Sequence, residues 1–369
     1  MIRSLIGLAA CLLLSGGAFA QESPSPDAPP AELDTIVVTG EQPGPGLWKV
    51  SKGDHVLWVL GVLAPLPKKM EWLSREVEQR ISESQALLSR PFVSVKLKSG
   101  FWASLALLPS MVGIRDNPDD KTLAEVVPTD IYAQWQTLKQ RYLGRSDKVE
   151  TWRPLFAATE LYESAIRKNG MTVGADSINK AIAKLSKQAG IKPTEVGVTI
   201  EIEASRKTAK EFKASRLDDL ECFSKTLDRI ETDLDNMKLR ANAWAMGDLE
   251  SLRALPYEDL YTACTQAIQG AAVFRDVGDL KARVKAAWLE AAAKTLDEYP
   301  TSFAVLGMRQ VVASDGYLAA LRERGMLVQA PDEEDDAPAG PAPWPSPAAT
   351  AVPGCSMPAR PGPDRRCGH

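Results

Sequence analysis

The hydrophobic pattern between residues 46 and 330 switches repeatedly between short apolar runs and longer stretches with helical spacing. Two β-rich runs, 47–50 and 55–60, are separated by the turn-forming residues 51–54, and this arrangement predicts a β-hairpin. Elsewhere, apolar residues recur at steps of three and four, which predicts helices because such residues share one helical face. These helices are expected over 71–83, 130–143, 154–168, 176–189, 279–298 and 314–324, with a short apolar run at 92–97 between them, and further strands over 196–202, 302–306 and 326–328.

The longest periodic stretch of the chain ends just before Gly247 and Asp248. Its alternating steps of three and four predict one long amphipathic helix. Its apolar face could pack inside the chain or form a dimerising coiled coil. We expect packing inside the chain, because the apolar face is short and lies within a globular region. The apolar face consists of Leu220, Phe223, Leu227, Ile230, Leu234, Met237, Ala241 and Trp244.

Strands near both ends of this region, with helices between them, predict one α/β domain in which helices supply most of the mass. Proline marks the limits of the domain, because 16 of the 26 prolines fall in residues 21–45 or 331–369. We therefore expect a proline-rich linker with a short strand over 21–45 and a folded domain over 46–330. The acidic, Pro/Ala-rich composition of 331–369 predicts a disordered tail.

The first 20 residues have the pattern of a secretory signal peptide. A positive charge at Arg3 precedes the apolar run 5–14, and the small residues at 18–20 would be recognised by a signal peptidase, which would cleave before Gln21. We therefore expect a periplasmic or secreted protein. The alternative is a lipoprotein anchored through Cys11. Beyond this leader, no apolar run reaches the roughly 20 residues that a transmembrane helix needs.

Export changes the interpretation of the cysteines, because thiols in an oxidising compartment tend to pair. Without Cys11, four cysteines are left, and the simplest pairing is one local bridge in the domain and one in the tail. These bridges would join Cys222 to Cys264 and Cys355 to Cys367. The alternative is a metal site, but the chain contains no C-x-x-C pair and its spacings fit no zinc template.

Composition limits the possible chemistry. The chain has two histidines, His55 and His369, which excludes a site built from several imidazoles of one chain. Phosphate-binding glycine loops and the G-x-S-x-G nucleophile motif are absent. The net charge is −4 and no basic stretch contains interspersed aromatic residues, so we expect no nucleic-acid partner. Three aspartates are expected to be solvated charges on helices: Asp176, Asp233 and Asp235. Because Asp233 and Asp235 are two residues apart, their side chains would point to different faces of the helix.

Residues at both ends of the domain carry a family resemblance. Near its start, 47–51 (LWKVS) leads to a strand over 56–60 and then to 61–67 (GVLAPLP); near its end, 303–310 (FAVLGMRQ) is followed by 315–318 (DGYL). This order resembles the TraB/GumN family, which includes the TIKI-type metalloproteases and has two G-x-x-H motifs after strands. The resemblance implies a single, helix-rich α/β domain with a mixed β-sheet and flanking helices.

Other residues occupy both motif histidine positions. The first motif begins at Gly61 and has Ala64 in place of histidine, and the second begins at Gly307 and has Gln310. The acidic residue expected after the next strand is also missing, since 87–90 reads Leu-Leu-Ser-Arg. Alanine offers no metal ligand, and glutamine offers a weaker, neutral one. We therefore expect no metal, no other cofactor and no metalloprotease chemistry.

Two glycines and one arginine are the remaining candidates in the altered site. Gly61 and Gly307 are expected to form strand-end turns that bring the backbone close to the cleft. The family's Arg-Asn motif is matched in part by Arg283-Val284. If Arg283 faces inward, it would bind an anionic group; the alternative is a charge on a helix surface.

Together, these features predict an exported, catalytically inactive family member that acts as a binding or structural module. A second hypothesis is a histidine-free hydrolase that uses Arg283, Gln310 and Asp315. A third is an envelope interaction protein, because 33–40 (LDTIVVTG) resembles a short segment near the start of the plug of TonB-dependent receptors. An envelope protein or a peptide is the expected partner.

Overall fold

A computed structural model describes residues 44–98, 109–202, 205–255, 260–269 and 277–333. The predicted signal peptide, the segment 33–40, Cys355, Cys367 and the predicted tail from 334 onwards lie outside these residues. The strands are β1 Leu47–Lys52, β2 His55–Val62, β3 Leu66–Pro67, β4 Ala86–Leu88, β5 Phe92–Leu97, β6 Met171–Thr172, β7 Gly197–Ile202, β8 Thr301–Gly307 and β9 Leu327–Gln329.

The central sheet has five strands in the order β4-β8-β2-β1-β9. Strand β8 runs parallel to both β2 and β4, whereas β1 runs antiparallel to β2 and β9. The sheet is therefore mixed, and the predicted fold class is confirmed. Strands β1 and β9 pair, with Val50 opposite Val328. Strands from the two ends of the domain sequence therefore lie side by side at one edge of the sheet.

The predicted hairpin is present. Strands β1 and β2 pair from Leu47↔Leu60 to Lys52↔His55, so the turn consists of Gly53 and Asp54. Gly53 has a φ of +63°, a left-handed conformation that glycine adopts without the steric cost of a Cβ atom. The local sequence is therefore sufficient to specify this turn.

Helices flank the sheet and pack against it. Ser74 starts the first helix, later than the pattern predicted, because its Oγ accepts the Val77 N–H at 3.4 Å and caps the helix. No helix in the described part of the chain has the length and apolar character required to cross a membrane. The helices are α1 Arg75–Glu83, α2 Leu123–Val126, α3 Thr129–Tyr142, α4 Pro154–Lys168, α5 Asp176–Gln188, α6 Arg206–Ala214, α7 Leu220–Thr232, α8 Leu234–Ala245, α9 Leu249–Ala254, α10 Leu260–Gln269, α11 Leu280–Glu298, α12 Met308–Val312 and α13 Tyr317–Glu323.

The hydrophobic core has two main parts. One surrounds the sheet and includes Leu57, Trp244 and Trp288, all fully buried. The other lies among helices α3, α4 and α7, where the rings of Trp135 and Phe223 pack with their centroids 5.4 Å apart. Burial of such large side chains is the main favourable contribution to folding.

The prediction of one long helix over residues 220–244 is wrong. The helix ends at Thr232, Asp233 adopts φ −112° and ψ −4°, and a second helix begins at Leu234. Asp233 is also not solvated as predicted: it is 7% exposed, and its carboxylate forms ion pairs with Arg229 and Arg240. The side chain of Asp235 is exposed, as expected.

The apolar face contacts both parts of the core, and the change from one part to the other occurs within α8, after the break at Asp233. Phe223, Leu227 and Ile230 of α7 are buried among the helices together with Leu234 and Met237 of α8, whereas Ala241 and Trp244 are buried against the sheet. These residues pack inside the chain, as expected, whereas Leu220, the first residue of the predicted apolar face, is 37% exposed.

The disulfide predicted within the domain is confirmed. Cys222 near the start of α7 is bonded to Cys264 in α10, and the two Cα atoms are 4.7 Å apart. The bridge lies in a small apolar cluster with Leu155, Leu217 and Ala263. It therefore fixes α10 to the helical part of the domain. The second predicted bridge, between Cys355 and Cys367, stays a prediction.

Candidate functional site

The two altered motifs lie side by side at one edge of the central sheet. Strands β2 and β8 are parallel neighbours, and their pairing ends with Val62 opposite Gly307. Parallel strands have their carboxyl ends at the same edge, where ligands of α/β proteins commonly bind. Ala64 follows β2 by two residues and Gln310 follows β8 by three, so the structure brings both predicted positions to this edge.

Neither position presents a strong metal ligand there. Ala64 is exposed and has only a methyl side chain. Gln310 is half-buried, and its Oε1 accepts the backbone N–H of Gly307 at 2.8 Å. This bond satisfies a free N–H group at the start of helix α12. The amide oxygen of Gln310 therefore has a structural role as a helix cap.

Gly61 allows close packing behind the site. It is buried within β2, and a Cβ atom added there would lie 2.8 Å from Met308 Sδ and 3.2 Å from Trp48 Cζ3. Its carbonyl oxygen accepts the indole N–H of Trp244 at 2.6 Å. The missing side chain thus lets α12 lie against the strand, while α8 is bonded to the backbone of the same residue.

Gly307, the other motif glycine, precedes α12 as its N-cap residue with an ordinary φ of −68°. A Cβ atom there would meet Gln310 Oε1 at 3.2 Å, which is tighter than usual contact. Its role is therefore to leave room for the capping amide. Whether Gly61 and Gly307 contribute to ligand binding stays a prediction.

Arg283 lies in the first turn of α11 and is exposed. Its Nη1 donates to the Val277 carbonyl at 2.8 Å, a contact that helps to hold the segment before the helix. Nearby, Lys285 Nζ donates to the Asp315 carbonyl at 2.7 Å, which ties the start of α11 to the segment after α12. Arg283 and Asp315 are both on accessible surface, and anion binding by Arg283 stays a prediction.

An open cleft lies next to this edge, beside the end of β4, where the family's acidic residue was expected. It has a volume of about 480 Å³, within the range typical of small-molecule sites. Leu87 and Val305 form part of its apolar wall, and Arg90 and Glu195 supply opposite charges. The full lining is Leu87, Ser89, Arg90, Pro91, Phe92, Asn179, Ile182, Ala183, Pro193, Glu195 and Val305.

Arg90 is the most distinctive polar group of the cleft. The cleft walls remove water from its guanidinium and lower its pKa, although part of the side chain stays exposed; the group remains cationic at neutral pH. Within the described ranges, no hydrogen bond or ion pair engages its side chain. Ser89 beside it is not free, since its Oγ accepts the Val196 N–H at 3.1 Å. Arg90 is therefore the cation that the lining of this cleft offers to a ligand.

In the sequence, Arg90 was notable only as the replacement of an acidic residue, and Asn179 and Glu195 were not predicted as site residues. These residues come from α5 and from the segment before β7, more than 80 positions away from Arg90. No local motif marks either of them. Only the parallel pairing of β5 with β7, with Phe92 opposite Gly197, brings Glu195 to the cleft.

His55 lies at the opposite edge of the sheet. It is the first residue of β2, and its ring Nδ1 lies 2.6 Å from the Leu296 carbonyl oxygen, to which it must donate. Among the described residues, no group of three or more His, Cys, Asp or Glu side chains could hold a metal ion.

Comparison with known proteins agrees with this arrangement. A sequence model of the TraB/PrgY/gumN family matches residues 46–330, which is most of the chain. No curated protein and no solved structure gives a significant match. The matched segment begins at the residue before β1 and ends at the residue after β9, so it contains the whole sheet and both altered motifs. The chain therefore belongs to the TraB/PrgY/gumN family.

Proposed function

We propose that this family member is an exported, catalytically inactive relative of metalloproteases that acts in the periplasm as a binding or structural module. The observation that carries the proposal is the pair of groups at the ends of β2 and β8. Ala64 has no ligand atom, and the amide oxygen of Gln310 caps α12 by accepting the Gly307 N–H. A metal that polarises water or a carbonyl needs several strong ligands, and these two positions do not supply them.

The cleft beside β4 supports a binding role. Its walls are mainly apolar, and Arg90 and Glu195 could orient a ligand that carries complementary charges. An arginine without a protein partner can form charge-assisted hydrogen bonds with an anionic group of a ligand. The expected ligands are an envelope protein or a peptide, in agreement with the leader-like pattern of residues 1–20.

The first experiment measures metal binding and hydrolysis by the purified, secreted chain. Calorimetric titration with Zn²⁺, Mn²⁺ and Co²⁺ is expected to show no stoichiometric binding, and mass spectrometry is expected to show no cleavage of a peptide mixture. The Ala64→His/Gln310→His double variant is the matched comparison, because it restores both imidazoles at the same sheet edge. We expect it to bind metal more tightly than the wild type.

Two results would contradict the proposal, and they have different meanings. Peptide cleavage by the wild type that a chelator abolishes would show a functioning metalloprotease. Cleavage that a chelator does not affect but Gln310→Ala abolishes would support the histidine-free hydrolase. N-terminal sequencing of the protein from a periplasmic fraction tests export, with Gln21 expected as the first residue.

Binding in the cleft is tested separately with Arg90→Gln. A fluorescent peptide mixture is fractionated on immobilised protein, and the retained peptides are measured by fluorescence polarisation. Arg90→Gln is expected to weaken their binding by roughly tenfold, the value of one charge-assisted hydrogen bond. Lys294→Gln, at an exposed position on α11, serves as the control and should leave binding unchanged.

A further inference from the structure

A second cavity lies in the helical part of the domain, away from the altered motifs. It has a volume of about 320 Å³ and is formed by the segment before α2, the start of α4 and the segment before α7. We propose that this cavity binds a small monocarboxylate with an apolar body, held by Arg153. The lining residues are Asn117, Pro118, Lys121, Glu125, Val126, Arg153, Pro154, Arg216, Leu217, Asp219 and Leu220.

Arg153 has more hydrogen-bonding capacity than the chain satisfies. It is only 2% exposed; its Nε donates to the Asp116 carbonyl at 3.0 Å, and its Nη2 donates to the Phe212 and Lys213 carbonyls, both at 2.8 Å. The guanidinium also lies over the Phe212 ring, 4.9 Å from its centroid. Its Nη1, however, is buried and has no hydrogen-bond partner among the described residues.

This arrangement is costly without a ligand. Asp219 and Asp116 attract the guanidinium and offset part of the cost of its burial, but neither forms a hydrogen bond with Nη1, so the lost hydration of that atom is not replaced. Burial lowers the pKa of Arg153, but an arginine stays protonated at any physiological pH. The cost is removed when an anion enters the cavity and approaches the guanidinium. Arg153 is therefore held by the fold as a group that can bind a ligand, and it is not a solvated surface charge.

Two further cations line the same cavity. Lys121 is half-buried and Arg216 is exposed, and neither forms a side-chain hydrogen bond or a close ion pair within the described ranges. The two carboxylates of the lining are already engaged. Glu125 accepts the N–H and the hydroxyl of Thr122, both at 2.8 Å, and Asp219 accepts the Leu155 N–H at 2.9 Å.

These charges select a monoanion. Three cations and two carboxylates leave one positive charge in the lining, and Asp116 adds a negative charge near Arg153 from outside the lining, so the cavity has room for at most one further negative charge. A phosphate dianion carries one more negative charge than a carboxylate, and Glu125 and Asp219 would repel it. Val126, Pro154 and Leu217 supply an apolar wall for the rest of the ligand. The cavity volume is at the lower end of the usual range for ligand sites, which favours a small molecule.

The test uses the purified secreted chain and four probes of known chemistry. Hexanoate and phenylacetate represent monocarboxylates, inorganic phosphate represents a dianion, and hexanol is a neutral control. Binding is measured by calorimetry and by ligand-observed NMR. We expect both carboxylates to bind and both phosphate and hexanol to fail to bind at concentrations up to about 10 mM.

Variants then locate the binding site. Arg153→Gln should weaken hexanoate binding by roughly tenfold or more, because it removes a charge-assisted hydrogen bond. Since Arg153 also bonds three backbone carbonyls, this variant can lose its fold, and Lys121→Gln/Arg216→Gln provides a second measurement from less buried positions. We expect several-fold weaker binding in that double variant. Lys207→Gln, on α6 but outside the cavity lining, should bind like the wild type.

Any of three results would overturn the assignment of this site. The first is that neither carboxylate binds, and the second is that phosphate binds more tightly than hexanoate. The third is that the affinity for hexanoate is unchanged in both Arg153→Gln and the Lys121→Gln/Arg216→Gln double variant. Weakening by Arg90→Gln instead would place the carboxylate in the cleft beside β4, which also contradicts this site. The measurement involves no metal and no hydrolysis, so its outcome is independent of whether the protein is a catalytically inactive relative of metalloproteases.

Discussion

The indole Nε1 of Trp244 donates to the backbone carbonyl of Gly61 at 2.6 Å, and both groups are buried. The two residues are 183 positions apart, and their bond joins helix α8 to the end of strand β2 beside the altered first motif. On the other side of Gly61, Met308 fills the space that a side chain would need. Packing and this hydrogen bond therefore hold the edge of the sheet in place.

Replacing Gly61 by alanine is expected to destabilise the domain. The new Cβ would lie 2.8 Å from Met308 Sδ, so the strand or helix α12 must shift. Overpacking of this kind costs about 1–3 kcal/mol, measured as the free energy of unfolding in urea. Gly174→Ala is the control, because its nearest atom, Asp176 Oδ1, is 3.8 Å away. Equal stability of both variants would contradict the packing argument.

Replacing Gln310 by alanine should remove the cap of helix α12. Its Oε1 accepts the Gly307 N–H at 2.8 Å, and loss of such a cap costs about 1 kcal/mol. Gln310→Glu keeps an acceptor at the same place and should be close to the wild type in thermal unfolding. If Gln310→Ala melts at the wild-type temperature, the amide is not a cap, and the structural role assigned to it fails.

Removing the disulfide should have a larger effect. The bond between Cys222 and Cys264 closes a loop with a sequence separation of 42 residues, for which the chain-entropy relation predicts about 4 kcal/mol of stabilisation. The Cys222→Ser/Cys264→Ser variant should unfold at a correspondingly lower urea concentration. Cys355→Ser/Cys367→Ser, outside the domain, should leave that midpoint unchanged. Similar shifts in both double variants would show that the domain bridge is not the main source of stability.

Asp219 should make stability depend on pH. Burial raises the pKa of its carboxyl group above the ordinary value, despite the opposing effect of the Leu155 N–H and of Arg153. The folded state thus binds the proton more tightly than the unfolded state. The resulting stabilisation is complete below the ordinary carboxyl pKa, near 4, and is lost as the pH rises through the raised pKa.

This effect can be isolated with Asp219→Asn, which keeps an oxygen to accept the Leu155 N–H. Urea unfolding at about pH 4 and pH 7 should show less loss of stability with rising pH in the variant than in the wild type. Asp235→Asn, at an exposed position in α8, corrects for general charge effects. An identical pH dependence in wild type and Asp219→Asn would contradict the assignment.

The sequence predicted most of the regular elements because their signals are local. Helix α4 was predicted over the observed range, strand β5 coincides with the short apolar run at 92–97, and the hairpin followed from the turn before His55. Strand β4 and helix α12 were not predicted. Strand β4 has only three residues and forms because Leu87 pairs with Phe303 of β8, while α12 is a single capped turn. Such short elements depend on their partners more than on their own composition.

The candidate sites also depend partly on local sequence and partly on contacts between distant residues. The loss of both motif histidines was visible in the sequence, since Ala64 and Gln310 can be read directly from it. The cleft beside β4 and the cavity lined by Arg153 were not visible in the sequence. Arg90 and Glu195, like Arg153 and Asp219, are far apart in the sequence and carry no motif, so that only folding brings each pair to a common wall.

By itself, the sequence determined the order of the elements, the α/β class, the cysteine pair of the domain and the absence of both motif histidines, because periodicity and residue identity are local properties. The tertiary structure alone decided where the long apolar stretch breaks, which side chains meet at the sheet edge and which hydrogen-bonding atoms remain unpaired. The physical reason is that burial and hydrogen-bond satisfaction depend on every neighbour in space. The ion pairs of Asp233 and the unpartnered Nη1 of Arg153 exist only once the helices have packed.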